Sequence, residues 1–190
     1  DGNGLNIAIG SEALENLNAG ADAYNIAIGH NAGKNVTTGQ QNTLMGGLAG
    51  DSLTDADYNV AIGYAALTTD TQGSRSTAVG NNALNAQNFS SAANSYNTAI
   101  GNNVGEAITT GQQNTLVGGL AGDALTDADT NVAIGYVALS ADTLGSGSTA
   151  IGNGALRDQN FTSATTTYNV AVGFQAGLSN TTGERNIFVG

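Results

Sequence analysis

The 190 residues carry 4 Lys and Arg against 15 Asp and Glu, a net charge of −11, which excludes the basic footprint that nucleic acid or an anionic membrane requires. Cysteine is absent, so there is no disulfide framework or thiolate metal site, and no apolar run approaches the roughly 20 residues of a membrane span. Glycine is high at 28, proline is absent and aromatics are only 5 %, too little large side chain for a conventional core, yet 40 % hydrophobic content is too much for a disordered chain.

From the N-terminus onward a five-residue core recurs eleven times, typified by Asn59-Val60-Ala61-Ile62-Gly63. Its closing glycines are Gly10, Gly29, Gly46, Gly63, Gly80, Gly101, Gly118, Gly135, Gly152, Gly173 and Gly190, separated by 19, 17, 17, 17, 21, 17, 17, 17, 21 and 17 residues. A fixed short period marks a stacked-repeat architecture. It predicts an all-β fold, a parallel β-roll or β-solenoid of about eleven coils of 17–21 residues, as one array over residues 1–190. The chain starts at Asp1 and stops on a core glycine with no polar cap, and so reads as a segment of a longer protein.

Within each core, Val60 and Ile62 alternate with Ala61, the period of a β-strand. The middle position is never polar: it is Ala at eight coils, Leu44 and Leu116 at two, and Phe188 at the last. A strand apolar on both faces must be covered on both. One face can look into the coil's own interior, and the mostly-Ala face suggests close approach to a second surface, which three identical chains around an axis would supply. The competing reading is a wider monomeric solenoid with Ala facing a thin interior. Asn opens nine of the eleven cores, with Ser76 and Ser148 at the others, and stacked Asn side chains can form ladders along the axis. After each closing glycine, a second short strand or bend is expected at positions such as Ala65-Ala66-Leu67. Turns are expected at Gly39, Gly73, Gly111, Gly145 and Gly183.

A longer period overlies the short one. Residues 29–100 and 101–172 are tandem copies of 72 residues, and 37–63 matches 109–135 at 24 of 27 positions. The extra residues of the two 21-residue coils fall near Gln87-Asn88-Phe89 and Gln159-Asn160-Phe161, where a loop is expected to bulge once per superrepeat. At about 4.8 Å per coil the array would be a rod roughly 50 Å long.

The cores Asn-Ile-Ala-Ile-Gly at 25–29 and Asn-Val-Ala-Ile-Gly at 59–63 and 131–135 resemble the head repeats of trimeric autotransporter adhesins. The wider pattern, Asn-Thr/Val-Ala-Ile-Gly-x-x-Ala-Leu/Gly, is also similar to repeats in tail-fibre proteins of tailed phages and other viruses. The resemblance implies a left-handed parallel β-roll, a homotrimer, and a place on a cell or virion surface, where it reaches and holds a target such as a surface or glycan receptor. The coils here are longer than the adhesin head repeat.

Catalytic chemistry finds little to work with. The single His30 follows a core glycine at a position that elsewhere holds Ser11, Gly47, Tyr64, Asn81 or Phe174, so a solvated surface site is expected. With no second histidine and no cysteine, Cys–His pairs, a one-chain Ser–His–Asp triad and histidine zinc sites are hard to build. Gly46-Gly47-Leu48-Ala49-Gly50 lacks the Lys-Ser/Thr ending of a phosphate loop. Glu106 and Glu184 are the remaining acid candidates, and neither recurs in the other superrepeat. No enzyme is expected.

The acidic turns are the best candidate site. Asp51, Asp55 and Asp57 recur as Asp123, Asp127 and Asp129, and carboxylates two apart beside an Asn can offer hard oxygen ligands to calcium. The pairs Asp55 with Asp57 and Asp127 with Asp129 are the candidate ligands; the alternative is a solvated turn. Exposed Tyr64, Tyr136 and Phe174, and the bulge residues Phe89 and Phe161, would stack on sugars or seal seams between subunits. Glycosylation-like triplets begin at Asn35, Asn88, Asn160 and Asn180. Paired threonines (Thr37-Thr38, Thr68-Thr69, Thr109-Thr110, Thr181-Thr182) raise an ice-binding alternative, which the uneven coils would interrupt. The expected function is therefore a structural segment of an extracellular trimeric fibre, with a ligand-binding solenoid for glycan, ice or a calcium-bridged surface as the alternative.

Overall fold

The computed structural model describes residues 4–190, so the first three residues of the expected array lie outside the described residues. Eleven three-residue strands sit at the eleven cores: β1 (Ile7–Ile9), β2 (Ile26–Ile28), β3 (Thr43–Met45), β4 (Val60–Ile62), β6 (Thr77–Val79), β8 (Thr98–Ile100), β9 (Thr115–Val117), β10 (Val132–Ile134), β12 (Thr149–Ile151), β14 (Val170–Val172) and β15 (Ile187–Val189). They form one parallel sheet in chain order, each pairing only with the coil before and the coil after. Register follows the repeat, with Ala61 opposite Leu44 on one side and Ala78 on the other. The fold is a β-solenoid of about eleven stacked coils, and no helix occurs among the described residues.

The direction of the alanines is opposite to that expected from a close second surface. Ala27, Leu44, Ala61, Ala78, Ala99, Leu116, Ala133, Ala150 and Ala171 are all fully buried in the coil's own interior. The outer face carries the flanking Ile, Val, Met and Thr instead, as in Val60 and Ile62. The reason is volume. Coils this narrow leave room inside for a methyl group opposite a leucine, and the larger β-branched side chains are turned outward.

That interior is balanced coil by coil. Where the middle residue is Ala, the fourth residue after the core glycine is commonly Leu, as with Ala61 and Leu67 or Ala133 and Leu139. Where it is Leu44, Gly33 and Gly50 make space: a Cβ at Gly33 would lie 2.6 Å from Leu44 Cδ1, and one at Gly50 2.8 Å from Leu44 Cδ2. Gly105 and Gly122 do the same around Leu116. Small and large residues thus alternate along the axis, as close packing requires.

The segment after each core glycine is a bend, not a second strand. Its residues two and four past the glycine adopt left-handed backbone, such as Ala65 (φ 53°) and Leu67 (φ 54°), as does the residue before each opening Asn, such as Tyr58 (φ 61°). Coil-to-coil bonding continues through these bends, with Gly33 N–H donating to Ala49 O (2.9 Å) and Leu67 N–H to Ala83 O (3.0 Å). Backbone groups outside the strands are thus paired partly with the neighbouring coil and partly within the bend itself, as in Val36 N–H to Gly33 O at 3.0 Å. The glycines Gly39, Gly73, Gly111 and Gly145 also differ from expectation. They have no left-handed φ, and Gly73 and Gly145 begin the short strands β5 (Gly73–Ser74) and β11 (Gly145–Ser146). These pair with β7 (Ala93–Asn94) and β13 (Thr165–Thr166). Glycine is needed there for close approach: a Cβ at Gly39 would sit 2.5 Å from Ala56 O.

The opening asparagines form the expected axial ladder, buried from Asn25 to Asn169 and partly exposed at the two ends, Asn6 and Asn186. Asn42 Oδ1 accepts the Asn59 N–H at 2.9 Å, and Asn59 Oδ1 accepts the Ser76 N–H at 2.8 Å. Asn59 Nδ2 donates back to the Gly73 carbonyl at 2.9 Å, which ties the return segment to the strand. The ladder changes at each serine, and a buried polar group takes over from a neighbouring core column. The seventh residue after each core glycine is apolar at Leu17, Val36, Leu53, Ile108 and Leu125, but it is Asp70 and Gln87 in the first superrepeat and Asp142 and Gln159 in the second. Gln87 Nε2 donates to Asp70 Oδ2 (2.5 Å) and Ser76 Oγ (2.8 Å), while its Oε1 accepts from Asn97 Nδ2 (2.9 Å). Asp70 Oδ1 accepts the N–H groups of Gly73 and Phe89, both at 3.0 Å. Gln159, Asp142, Ser148 and Asn169 repeat the arrangement. This plug secures the long coil, so the extra residues bulge outside the main sheet and leave all eleven strands in register.

Candidate functional site

Two surfaces of the solenoid have functional geometry: the outer face of the long sheet and the acidic turns on the return segment.

The outer face presents Ile, Val or Met at the third strand position of every coil. Met45, Ile62, Ile100, Ile134, Ile151 and Val172 are 36–41 % exposed there. Tyr64, Tyr136 and Phe174, just past the core glycines, are exposed as expected, at 58 %, 56 % and 69 %. His30 is exposed in the same column. The result is an apolar stripe along the length of the sheet, roughly 50 Å for eleven coils, bordered by Tyr64, Tyr136 and Phe174 at three coils and by residues such as Ser11, His30, Asn81, Asn102 and Asn153 at others.

Phe89 and Phe161 do not belong to any exposed surface. Both are only 6 % exposed. The Phe89 ring folds over Gly73, where a Cβ would lie 2.7 Å from its Cδ2, so the bulge carries its aromatic inward. Neither ring can stack on a sugar or seal a seam. The paired threonines likewise form no grid. The Thr37 and Thr38 hydroxyls both donate to Asp55 Oδ1 at 3.1 Å, the Thr109 hydroxyl to Thr126 O at 3.4 Å and the Thr110 hydroxyl to Asp127 Oδ1 at 2.5 Å. Thr68, by contrast, lies in another column and bonds Asp51. The long coils do not break the sheet, so the objection to an ice-binding face rests on these committed hydroxyls and not on coil length.

On the return segment the structure separates Asp51 from Asp55 and Asp57. Asp51 Oδ1 accepts the Thr68 hydroxyl at 2.5 Å. Asp55 and Asp57 instead line one cleft of about 270 Å³ together with Gln72, Ser74, Ala92, Ala93 and Asn94 from the next two coils. Asp55 Oδ1 accepts the hydroxyls of Thr37 and Thr38, both at 3.1 Å, and Asp57 Oδ1 accepts the Gln40 N–H at 2.8 Å. Each carboxylate is thus held by the preceding coil through one oxygen. In the second superrepeat Asp127 Oδ1 accepts the Thr110 hydroxyl (2.5 Å) and Asp129 Oδ1 the Gln112 N–H (2.7 Å). Among the described residues no group of three or more His, Cys, Asp and Glu is arranged to hold a metal. Calcium at either Asp pair would therefore need neutral oxygens to complete its shell.

Beside the cleft stands a ladder that sequence reasoning missed. Arg75 lies over the Tyr58 ring at 4.5 Å and faces Tyr96 at 6.0 Å, a cation held between two aromatic faces from adjacent coils. Its Nε donates to Asn94 Oδ1 at 3.1 Å, fixing one lip of the cleft. Arg185 repeats half of this motif over Tyr168, at 5.8 Å. The signal was present in the residues that precede the core Asn or Ser, which read Tyr24, Gln41, Tyr58, Arg75 and Tyr96 in successive coils.

Charge differs between the two superrepeats in one column. Lys34 pairs with Glu12 (2.5 Å) and Glu15 (3.6 Å), whereas Glu106 occupies the matching place in the second copy. Burial pushes the Asp123 carboxyl above its ordinary value of 3.8, against the pull of its backbone N–H partners, and the Glu106 charge adds to the rise. Asp123 Oδ1 is buried without a hydrogen-bond partner. A raised carboxyl pKa means the folded state binds more protons than the unfolded one. This group's contribution to stability therefore falls as pH rises from 3.8 through the folded value. Asp123→Asn is expected to melt higher than the parent at pH 7, with the gap narrowing as pH falls into the carboxylate range, measured by thermal denaturation at both ends.

No protein-family model, curated protein or solved structure matches the chain.

Proposed function

We propose that this chain is a structural segment of an extracellular fibre, of the adhesin-head or viral tail-fibre kind, which assembles as a homotrimer of left-handed coils and extends or presents attachment to a cell-surface or glycan receptor. The observation that carries this reading is the outer apolar stripe. It continues through all eleven coils and is flanked at three of them by Tyr64, Tyr136 and Phe174. A second copy with the same repeat matches it row for row, so a few tens of methyl groups leave water together. The excess of acid, −11 per chain, resides on turns and bends and not on the stripe, which leaves the stripe free to associate while the remaining surface keeps the assembly soluble. Stiffness then follows from the backbone bonding of each coil to the next.

The double substitution Ile62→Lys with Ile134→Lys tests this directly. It sets a charge on the stripe twice per chain without touching the interior. The expected result is a monomer of 18.8 kDa that retains the parent's β circular dichroism. An unchanged assembly state would contradict the stripe as the contact surface.

A second reading, a ligand-binding solenoid, is favoured by one observation, the cleft that joins Asp55 and Asp57 to Gln72, Ser74 and Asn94. The two readings are compatible, since the cleft lies on the return segment and the stripe on the sheet.

A further inference from the structure

We propose that the cleft at Asp55, Asp57, Gln72, Ser74 and Asn94 binds one neutral sugar residue of a glycan, and that the matching place in the second superrepeat does not. The inference gives the ligand-binding reading its site and ligand class, and it does not depend on the trimer.

The argument begins with size. At about 270 Å³ the cleft is just below the roughly 300 Å³ where pockets for larger organic ligands begin, which suits a single ring. Its polar groups are held from behind and unspent in front. One oxygen of Asp55 is bonded to Thr37 and Thr38, and one of Asp57 to the Gln40 N–H, so each carboxylate keeps its second oxygen as an acceptor. Ser74 Oγ accepts the Asp57 N–H at 2.9 Å and keeps its own proton to donate. Asn94 is anchored through Oδ1 by Arg75, leaving its Nδ2 donors, and the Gln72 amide supplies both kinds of group.

Fixed acceptors alternating with donors are what a ring of hydroxyls, each both donor and acceptor, requires. Ala92 and Ala93 add apolar lining that the C–H face of such a ring can meet. Two carboxylates exclude an anionic sugar by repulsion, in a chain already at −11.

The second superrepeat is an internal control. It keeps Asp127, Asp129 and Ser146 on the same backbone path but has Leu144 for Gln72, Thr165 for Ala93 and Thr166 for Asn94. Thr130 and Gly147 replace Tyr58 and Arg75, so the ladder that anchors Asn94 is also gone. The acidic pair is common to both copies, whereas the amide and arginine groups are confined to the first.

The test uses the isotope-labelled chain and a panel of methyl glycosides of glucose, galactose, mannose and N-acetylglucosamine, followed by amide chemical shifts in the presence of a calcium chelator, with calcium titrated separately in the absence of sugar and chelator. Saturable shifts at Gln72, Ser74 and Asn94 are expected with at least one sugar, and none at Leu144, Ser146 and Thr166. Gln72→Leu with Asn94→Thr should weaken that binding at least tenfold. Both replacements already stand in the second superrepeat, so the fold accommodates them. The reverse graft, Leu144→Gln, Thr165→Ala, Thr166→Asn, Thr130→Tyr and Gly147→Arg, should raise the stoichiometry from one site to two per chain. The proposal is overturned if no sugar in the panel shifts the cleft amides, if the Gln72→Leu, Asn94→Thr variant binds as well as the parent, or if the amides respond to calcium alone. Assembly is read separately from solution mass, so a failed sugar titration leaves the fibre reading standing and a monomeric mass leaves this one.

Discussion

Gly63→Ala is expected to lower the melting temperature by on the order of 10 °C. The closing glycine has φ 138°, a region that side-chain-bearing residues rarely adopt, and a Cβ there would lie 2.6 Å from the carbonyl carbon of Gly80 and closer still to its oxygen. Gly80 cannot recede, because it is itself stacked against Gly101 and its strand is bonded into the long sheet. Backbone strain of ~1–3 kcal/mol and overpacking of similar size add to about 2–6 kcal/mol. At ~2–4 °C per kcal/mol for a chain of this length, that is the expected shift. The effect should also spread: coils stabilise one another only through nearest neighbours, so a fault in mid-array separates the coils before it from those after. Ser52→Ala, a change the second superrepeat already carries as Ala124, is the matched control and should melt like the parent. A Gly63→Ala protein that melts within 2 °C of the parent, roughly the effect of 1 kcal/mol or less, would contradict the role of the glycine column.

Gln87→Ala is expected to cost about 3 kcal/mol. The side chain is fully buried and joins Asp70, Ser76 and Asn97, so its removal leaves a buried carboxylate short of a donor and two further polar groups without their partner. Stranding a buried charge or polar group costs more than the lost bond alone. Chemical denaturation gives the magnitude, and hydrogen exchange gives the location. The amides of Gly73 and Phe89, which donate to Asp70, should lose protection before those of the main sheet. A loss below 1 kcal/mol, with protection at Phe89 unchanged, would show that the plug is not what holds the long coil.

The coil count, the strand positions and the roles of Asn and Gly were legible because each was repeated at every turn of the solenoid. Repetition separates what the backbone demands from what a single site tolerates. The orientation of the strands was not legible, since Val60, Ala61 and Ile62 are all apolar and alternation alone cannot say which face is inside. Volume could have decided it: Leu67 accompanies Ala61, while Gly50 accompanies Leu44, a compensation possible only if both positions share one interior. The plug was hidden for a different reason. Asp70 and Gln87 look like ordinary turn residues in linear order and become exceptional only in the column of Leu53 and Ile108. Phe89 misled because a bulge was read as an exposed loop, whereas the missing side chain of Gly73 leaves a place for the ring. Of the candidate site, Asp55 and Asp57 were recognised, but Gln72, Ser74 and Asn94 come from following coils and meet them only once the coils are stacked.

The fibre account rests on identical chains covering the outer stripe, and the solution mass of this chain by light scattering, with and without a calcium chelator, tests it most directly. The expected mass is near three times 18.8 kDa in both conditions, because the stripe is apolar and owes nothing to the acidic turns. A stable monomer of 18.8 kDa would contradict the account, and a trimer that dissociates on chelation would transfer the contact from the stripe to Asp55, Asp57, Asp127 and Asp129.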